Sequence, residues 1–254
     1  MLTSRYFMKI DWNIFREKRC LYCLRPFFPK KSVDPLENHI ANNLCPECAN
    51  KLKELRTGFC RHCGEILPDP GQSVSRCGHC REKPALWDDF SFFNKYEGIL
   101  REFILSAKFS QNRACMKFLG ELLALHFLNR NQDIRKINIV PMPLHNKRLM
   151  QRGYNQCLEI LKFFARRIEK HTDKTVHIHT NLLQKKFHTV PQHSLNKKER
   201  QKNIKNSFAV SKHALKEIFL FDDIATTNST LEEACKELKN SGIGHIHILV
   251  LAKA

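Results

Sequence analysis

Apolar positions in the C-terminal two thirds of the chain repeat at two different periods, and the two alternate. Phe90, Phe92 and Phe93 predict a strand near 88–94, and residues 116–129 predict a helix on Phe118, Leu119, Leu122, Leu123, Leu125, Phe127 and Leu128. A short apolar run from Ile137 to Met142 reads as a strand entering a loop at Pro141 and Pro143. Cys157, Ile160, Leu161, Phe164, Ala165 and Ile168 then fall at i, i+3, i+4, i+7, i+8 and i+11, the stripe of an amphipathic helix. Ile218–Phe221 predicts a buried strand, Leu231, Ala234, Cys235 and Leu238 a helix ended near Gly242, and Ile246–Leu251 a last strand. Strands alternating with helices predict an α/β fold with a parallel sheet over 86–254. Residues 1–85 lack this periodicity and form a separate Cys-rich module.

The 254 residues are 42% hydrophobic, with 18 Phe, enough to bury a core and to exclude a disordered chain. Lys and Arg number 43 against 25 Asp and Glu, a net +18 that favours polyanionic partners. No apolar run approaches the roughly 18 residues of a membrane helix, and Met1–Phe15 lacks the apolar stretch of a secretory signal, so a soluble cytoplasmic protein is expected. Neither a GxxxxGK[ST] nor a GxGxxG motif is present, which argues against Walker-type and Rossmann nucleotide sites.

Eight of the eleven cysteines fall within 61 residues as four CxxC pairs: Cys20/Cys23, Cys45/Cys48, Cys60/Cys63 and Cys77/Cys80. Each CxxC turn aims two sulfurs at one point, and two turns complete a tetrahedral sulfur site. The gaps of 21 and 13 residues suit structural zinc, so two Zn²⁺ are expected, paired sequentially, with a cross-braced arrangement as the alternative. Such sites are closed, and the module depends on its metal to fold. His62 and His79, inside the turns, are expected to be exposed rather than ligands. Cys157 and Cys235 are expected to be core residues.

The sharpest site signal is Ile218-Phe-Leu-Phe-Asp-Asp-Ile-Ala-Thr-Thr-Asn-Ser-Thr230. A strand ends in Asp222 and Asp223, a loop with Thr226, Thr227, Asn228, Ser229 and Thr230 follows, and a helix begins, with Ser229-x-x-Glu232 matching a capping box. Ligands of open α/β sheets bind at the carboxyl ends of strands. A helix start offers unpaired N–H groups to a phosphate. Two carboxylates beside it suit the hydroxyls of a ribose.

Strand-Asp-Asp-x-x-Thr-Thr-x-x-Thr resembles the phosphoribosyl pyrophosphate (PRPP) loop of type I phosphoribosyltransferases, with Asn228 where that family has glycine. On that resemblance Asn228→Gly is expected to leave ligand binding unchanged or tighten it. Val140-Pro-Met-Pro-Leu with Arg148 and Arg152-Gly-Tyr-Asn-Gln156, the stretch from His188-Thr-Val-Pro-Gln192 through Leu195, Arg200, Asn203 and Phe208, and the N-terminal CxxC pairs together resemble the ComF family over nearly the whole chain. Lys185 and Phe187 stand where that family commonly has arginines. The resemblance implies a type I phosphoribosyltransferase-like sheet flanked by helices, a PRPP or ribose 5-phosphate pocket taking Mg²⁺ with PRPP, and a pyrophosphate side at Lys147, Arg148 and Arg152. It further implies a role in DNA uptake during natural transformation, beside a helicase.

Residues 185–212 carry eight Lys or Arg and one Glu, among them Lys197, Lys198, Arg200 and Lys202. This +7 arm can screen against the phosphates of single-stranded DNA, or cover the ribose-phosphate pocket as a soluble lid. Three functions stay open at this point: a DNA-handling protein with a ribose-phosphate pocket, an active phosphoribosyltransferase of unknown acceptor, and a zinc-stabilised scaffold with a vestigial pocket. No side chain stands out as a catalytic base.

Overall fold

A computed structural model of the chain describes residues 17–144, 146–186 and 207–254. Five strands form one wholly parallel sheet in the order β3-β9-β8-β4-β5: β3 Asp89–Lys95, β4 Lys136–Pro141, β5 Thr175–Ile178, β8 Glu217–Ala225 and β9 His245–Lys253. The central strand β8 pairs Leu220 with Ile248 of β9 and with Val140 of β4. Its Ile218–Phe221 run is buried on both faces, as parallel strands covered by helices require.

Alternation along the strands separates two cores. Phe93, Phe219, Phe221, Leu249 and Leu251 face helices α4 Gly98–Phe109, α5 Arg113–Arg130 and α7 Gln156–His171. Phe90, Phe92, Ile218, Leu220, Ile248 and Val250 face helix α8 Ser229–Asn240. Helices α5 and α7 meet at Gly120, where a Cβ would stand 2.5 Å from the Ile160 carbonyl oxygen, so no larger residue fits. An antiparallel pair, β6 Leu183–Lys185 and β7 Phe208–Val210, lies beside α8.

The Cys-rich segment holds strands β1 Lys18–Arg19 and β2 Pro26–Phe27 and helices α1 Pro35–Asn43, α2 Pro46–Asn50 and α3 Gly78–Glu82. Its two halves pack on opposite faces of the sheet: Cys20, Cys45 and Cys48 join the core of α4, α5 and α7, whereas Cys60, Cys63 and Cys80 join the core of α8. The strap between them follows edge strand β3. Leu55 donates its N–H to the Phe93 carbonyl (2.8 Å), and Asn94 donates its side-chain N–H to the Lys53 carbonyl (2.6 Å). An exposed sheet edge is thereby covered. The strap is also pinned inward, because Glu54 meets His126 Nδ1 (2.6 Å) and His126 Nε2 meets the Ser91 hydroxyl (2.9 Å). This Ser–His–Glu order resembles a hydrolytic triad only in sequence of contacts: Ser91 and His126 are fully enclosed, so no substrate reaches the hydroxyl.

The strands and helices expected from periodicity over 88–94, 116–129, 137–142, 157–168, 218–221, 231–238 and 246–251 all form. Helix α4 was not anticipated. Among the described residues no helix is long and apolar enough to cross a membrane.

Candidate functional site

Strand β8 ends at the sheet's carboxyl edge and delivers Asp222 and Asp223 there. Asp223 is 3% exposed, and its Oδ2 accepts from Lys108 Nζ (2.9 Å) and Gln156 Nε2 (3.2 Å). Asp222 Oδ1 accepts the backbone N–H of Asp223 (2.9 Å) and faces the Cys157 thiol at 3.5 Å. Burial, and then the Asp223 charge, push the Asp222 carboxyl up to about 7, against the pull of Lys108 and the Asp223 N–H. Burial and the two aspartates push the Cys157 thiol well up, so it stays protonated and donates. Burial alone would lower the Lys108 ammonium, but Asp223 and Asp222 outweigh it and the charge is retained. Each carboxylate thus has one oxygen engaged by the protein, and Asp222 Oδ2 and Asp223 Oδ1 have no hydrogen bond among the described residues.

The loop that follows exposes Thr226 and Thr227, with the Thr227 and Ser229 hydroxyls 3.2 Å apart. The expected Ser229 capping box is not formed. Asn228 is the N-cap, left-handed at φ 59°, and its carbonyl accepts from the Glu232 N–H (2.8 Å). Its side chain does not cap the helix either. Asn228 Nδ2 donates to the carbonyl of Cys63 (2.9 Å), and Oδ1 is buried without a partner. Lys253, on β9, donates to the Thr226 carbonyl (2.6 Å) and is 4% exposed. The start of α8 therefore leaves its first N–H groups toward solvent, in a loop held from behind by Lys253 and from the side by a cysteine turn.

Helix α6 Asn146–Arg152 and the end of α4 border a cavity of about 650 Å³ lined by Lys108, Arg148 and Arg152. Arg148 and Arg152 share a helical face as their spacing requires, and Lys108 joins this cavity to Asp223. Lys147 is exposed beside them. Asn155 donates to the Met142 carbonyl (3.1 Å) and so ties the loop, whereas Gln156 reaches the acid pair. Lys197, Lys198, Arg200 and Lys202 lie outside the described residues.

The cysteines gather sequentially, Cys20, Cys23, Cys45 and Cys48 in one cluster and Cys60, Cys63, Cys77 and Cys80 in the other, each with its sulfurs within 4.8 Å of one another. A tetrahedron with Zn–S bonds of about 2.3 Å has edges of about 3.8 Å. Cys23–Cys45 and Cys63–Cys77 both measure 3.7 Å between sulfurs, so either cluster fits one ion. Cys77 N–H donates to Cys60 Sγ (3.2 Å), the outer hydrogen bond that tunes thiolate ligands. At Cys20, burial opposes ionisation, but backbone N–H groups of Cys23, Cys45 and Tyr22 outweigh it and bring the thiol to about 6. His62, expected to be exposed, is buried, because its Nε2 accepts the Ala85 N–H (3.2 Å) and Trp87 covers its carbonyl; His79 is exposed.

Three residues of the site were not read from sequence. Lys108 sits on the unanticipated α4, whose Ile99, Leu100, Phe103, Ile104 and Ala107 stripe was the available signal. Gln156 stood out only as part of the Arg152–Gln156 motif, and Cys157 was expected to be a core residue. Cys157 is 1% exposed, as a core residue is, yet its thiol points at Asp222. Cys235 is core alone.

No protein-family model matches the chain. It is 32% identical over 224 residues to "Competence protein F" of Haemophilus influenzae, covering 85% of this chain and 93% of that one. It is 26% identical over 214 residues to "DNA utilization protein YhgH" of Escherichia coli K12, covering 83% and 90%. Among solved structures, a hypoxanthine phosphoribosyltransferase from Staphylococcus aureus is similar at a TM-score of 0.32 and 10% identity, over 56% of this chain and 65% of that one, just under two thirds.

Proposed function

Because the chain belongs to the competence protein F family, we propose that it handles DNA during its uptake and use, and that it does so with a pocket for a ribose 5-phosphate compound. One observation carries the pocket. Two adjacent carboxylates, each with one uncommitted oxygen, stand at the end of β8 beside a hydroxyl-bearing helix start. Two negative charges beside a phosphate site repel a bare phosphate, so the ligand must also bring hydroxyls or a cation. A ribose whose 5-phosphate lies on Thr226–Thr230 and whose hydroxyls meet Asp222 and Asp223 does the first, and Mg²⁺ carried by PRPP does the second. Lys147, Arg148 and Arg152, with Lys108, would then face the pyrophosphate.

If transfer occurs, these residues act by positioning and by stabilising the departing pyrophosphate, since no side chain is placed as a base. The basic arm with Lys197, Lys198, Arg200 and Lys202 would add sequence-independent contacts to single-stranded DNA in the cytoplasm, delivered by an uptake helicase. The two cysteine clusters would hold structural Zn²⁺ over either face of the sheet. Within this frame, 1–85 is the metal-binding unit and 86–254 the ligand-binding unit.

Calorimetry decides the matter. PRPP with Mg²⁺ and ribose 5-phosphate should each bind, and Asp222→Asn with Asp223→Asn should lose roughly 1.5–3 kcal/mol for each charged hydrogen bond. Silence toward every ribose phosphate at millimolar concentration, with DNA binding intact, would leave a zinc-stabilised scaffold with a vestigial pocket.

A further inference from the structure

The cavity between α4 and α6 contains more than the cations that a pyrophosphate needs. Besides Lys108, Arg148 and Arg152 it is lined by the rings of Tyr96, Phe109 and Tyr154, and no carboxylate lines it. Phe109 is 69% exposed, yet it is held in place rather than left loose. Arg152 stacks on its ring with Cζ 5.0 Å from the centroid, and the turn that follows passes through Gln111 at φ 49°, a left-handed conformation that non-glycine residues adopt at a cost. Gln111 Nε2 donates to the Arg152 backbone carbonyl (3.2 Å) and so ties the turn after α4 to the end of α6. Tyr154 is fixed through its hydroxyl to the Ala107 carbonyl. Among the described residues Lys108 is paired with Asp223 (2.9 Å) and Arg152 Nη1 donates to Gln156 Oε1 (3.0 Å), while no ion pair engages Arg148.

Phe109 is a large ring at the surface that packs against a guanidinium and not into either core. Flat apolar faces beside two guanidiniums, Arg148 and Arg152, with Lys108 already paired to Asp223, match a nucleobase with its phosphate. We propose that this cavity is a docking site for a base of single-stranded nucleic acid, stacked on the Phe109–Arg152 platform with the adjoining phosphate on Arg148; this rests on the DNA-handling reading above. A single strand is specified because the stacking face must meet an unpaired base, and a duplex keeps its bases in the stack. Lys108 links this cavity to the acid pair, and because Arg148 and Arg152 are also the pyrophosphate side, strand and PRPP would compete here, whereas ribose 5-phosphate, which has no pyrophosphate, would sit in the neighbouring subsite.

The test uses the full chain and fluorescence anisotropy with labelled oligothymidylate and an abasic oligomer of equal length. Phe109→Ala should weaken oligothymidylate binding about tenfold, in line with a lost stacking contact, and leave the abasic oligomer unaffected. Phe109→Trp should restore binding. Arg148→Gln should weaken both oligomers alike. Unchanged oligothymidylate affinity in Phe109→Ala, or equal losses with the abasic oligomer, would overturn the stacking site. Displacement by thymidine monophosphate at concentrations matching the oligomer would overturn the single-strand assignment in favour of a free nucleotide. Ribose 5-phosphate titrated into the wild type keeps the two readings apart. Failure there strikes the ribose pocket, whereas an insensitive Phe109→Ala that still binds ribose 5-phosphate strikes only the base site.

Discussion

Replacing Asn228 with glycine separates stability from loop order. Two features of Asn228 oppose the native state: a left-handed φ of 59° and a buried Oδ1 without a partner. The first is worth about 1 kcal/mol and the second about 1–3 kcal/mol; glycine removes both. Against this stands the 2.9 Å bond from Nδ2 to the Cys63 carbonyl, worth about 0.5–1.5 kcal/mol, with a further ~1–3 kcal/mol if that carbonyl is left bare. The opposing sums nearly cancel, so the urea midpoint should move by no more than about 1 kcal/mol equivalent. The loop has lost its lateral anchor, however, and keeps the Lys253 bond to the Thr226 carbonyl and the backbone bond from Glu232 to residue 228. Amide exchange at 226–230 should accelerate selectively. Affinity for ribose 5-phosphate should fall about fivefold, the equivalent of one hydrogen bond's worth of pre-organisation. The expectation of neutral or tighter binding, drawn from the glycine of related loops, changes once Cys63 is seen as the partner. Hydrogen–deuterium exchange read by mass spectrometry, beside calorimetry, checks both halves. A loss of several kcal/mol in stability, or unchanged exchange in the loop, would refute the reasoning.

The purified protein should carry close to two Zn²⁺ per chain, and Cys60→Ser should remove one and destabilise the segment around α3; elemental analysis finding iron, or no metal in folded protein, would contradict this. Ribose-phosphate affinity should rise as pH increases through about 7, because the raised Asp222 must ionise to accept hydroxyls. Stability should move the other way. The native carboxyl holds its proton above the unfolded value of 3.8, so its contribution is largest at low pH and is lost between about 4 and 7. Denaturation and titration of Asp222→Asn, which should abolish both trends, provide the check. Neutralising Lys197, Lys198, Arg200 and Lys202 together should flatten the salt dependence of single-strand binding by up to about 0.7 in log–log slope for each phosphate contact removed; an unaltered slope would assign the contacts elsewhere.

The sheet was legible because parallel strands buried on both faces leave near-continuous apolar runs, as in Ile218–Phe221 and Ile246–Leu251. Cysteine pairing followed from local spacing, since each CxxC turn is its own geometry. What sequence could not show were contacts set by tertiary folding. Lys108 and Asp223 are 115 residues apart and meet only because α4 packs against the carboxyl edge. Asn228 and Cys63, 165 apart, meet only because the cysteine strap crosses the β3 edge and brings its second half down beside α8. The capping box failed for the same reason. Asn228 takes the N-cap position, which moves Ser229 into the helix, and its own side chain is drawn away to the Cys63 carbonyl. A lone cysteine such as Cys157 carries no sequence mark of whether its thiol meets carbon or carboxylate.

The pairing of β3 with β9 has a consequence for biogenesis. Phe90 lies opposite Ile248, so the first strand of the sheet stays without its partner until the last has been synthesised. Non-local parallel pairing of this kind slows folding and lengthens the time during which aggregation competes. Throughout that interval all eight cysteines of the strap are already translated, and nothing of β9 yet stands behind Phe90 and Phe92 where the second cluster packs. Early metal capture by these thiols would hold the strap against the nascent β3 edge and shield it from intermolecular pairing. Zinc starvation should therefore show first as poor yield of newly made chains, while protein folded beforehand persists.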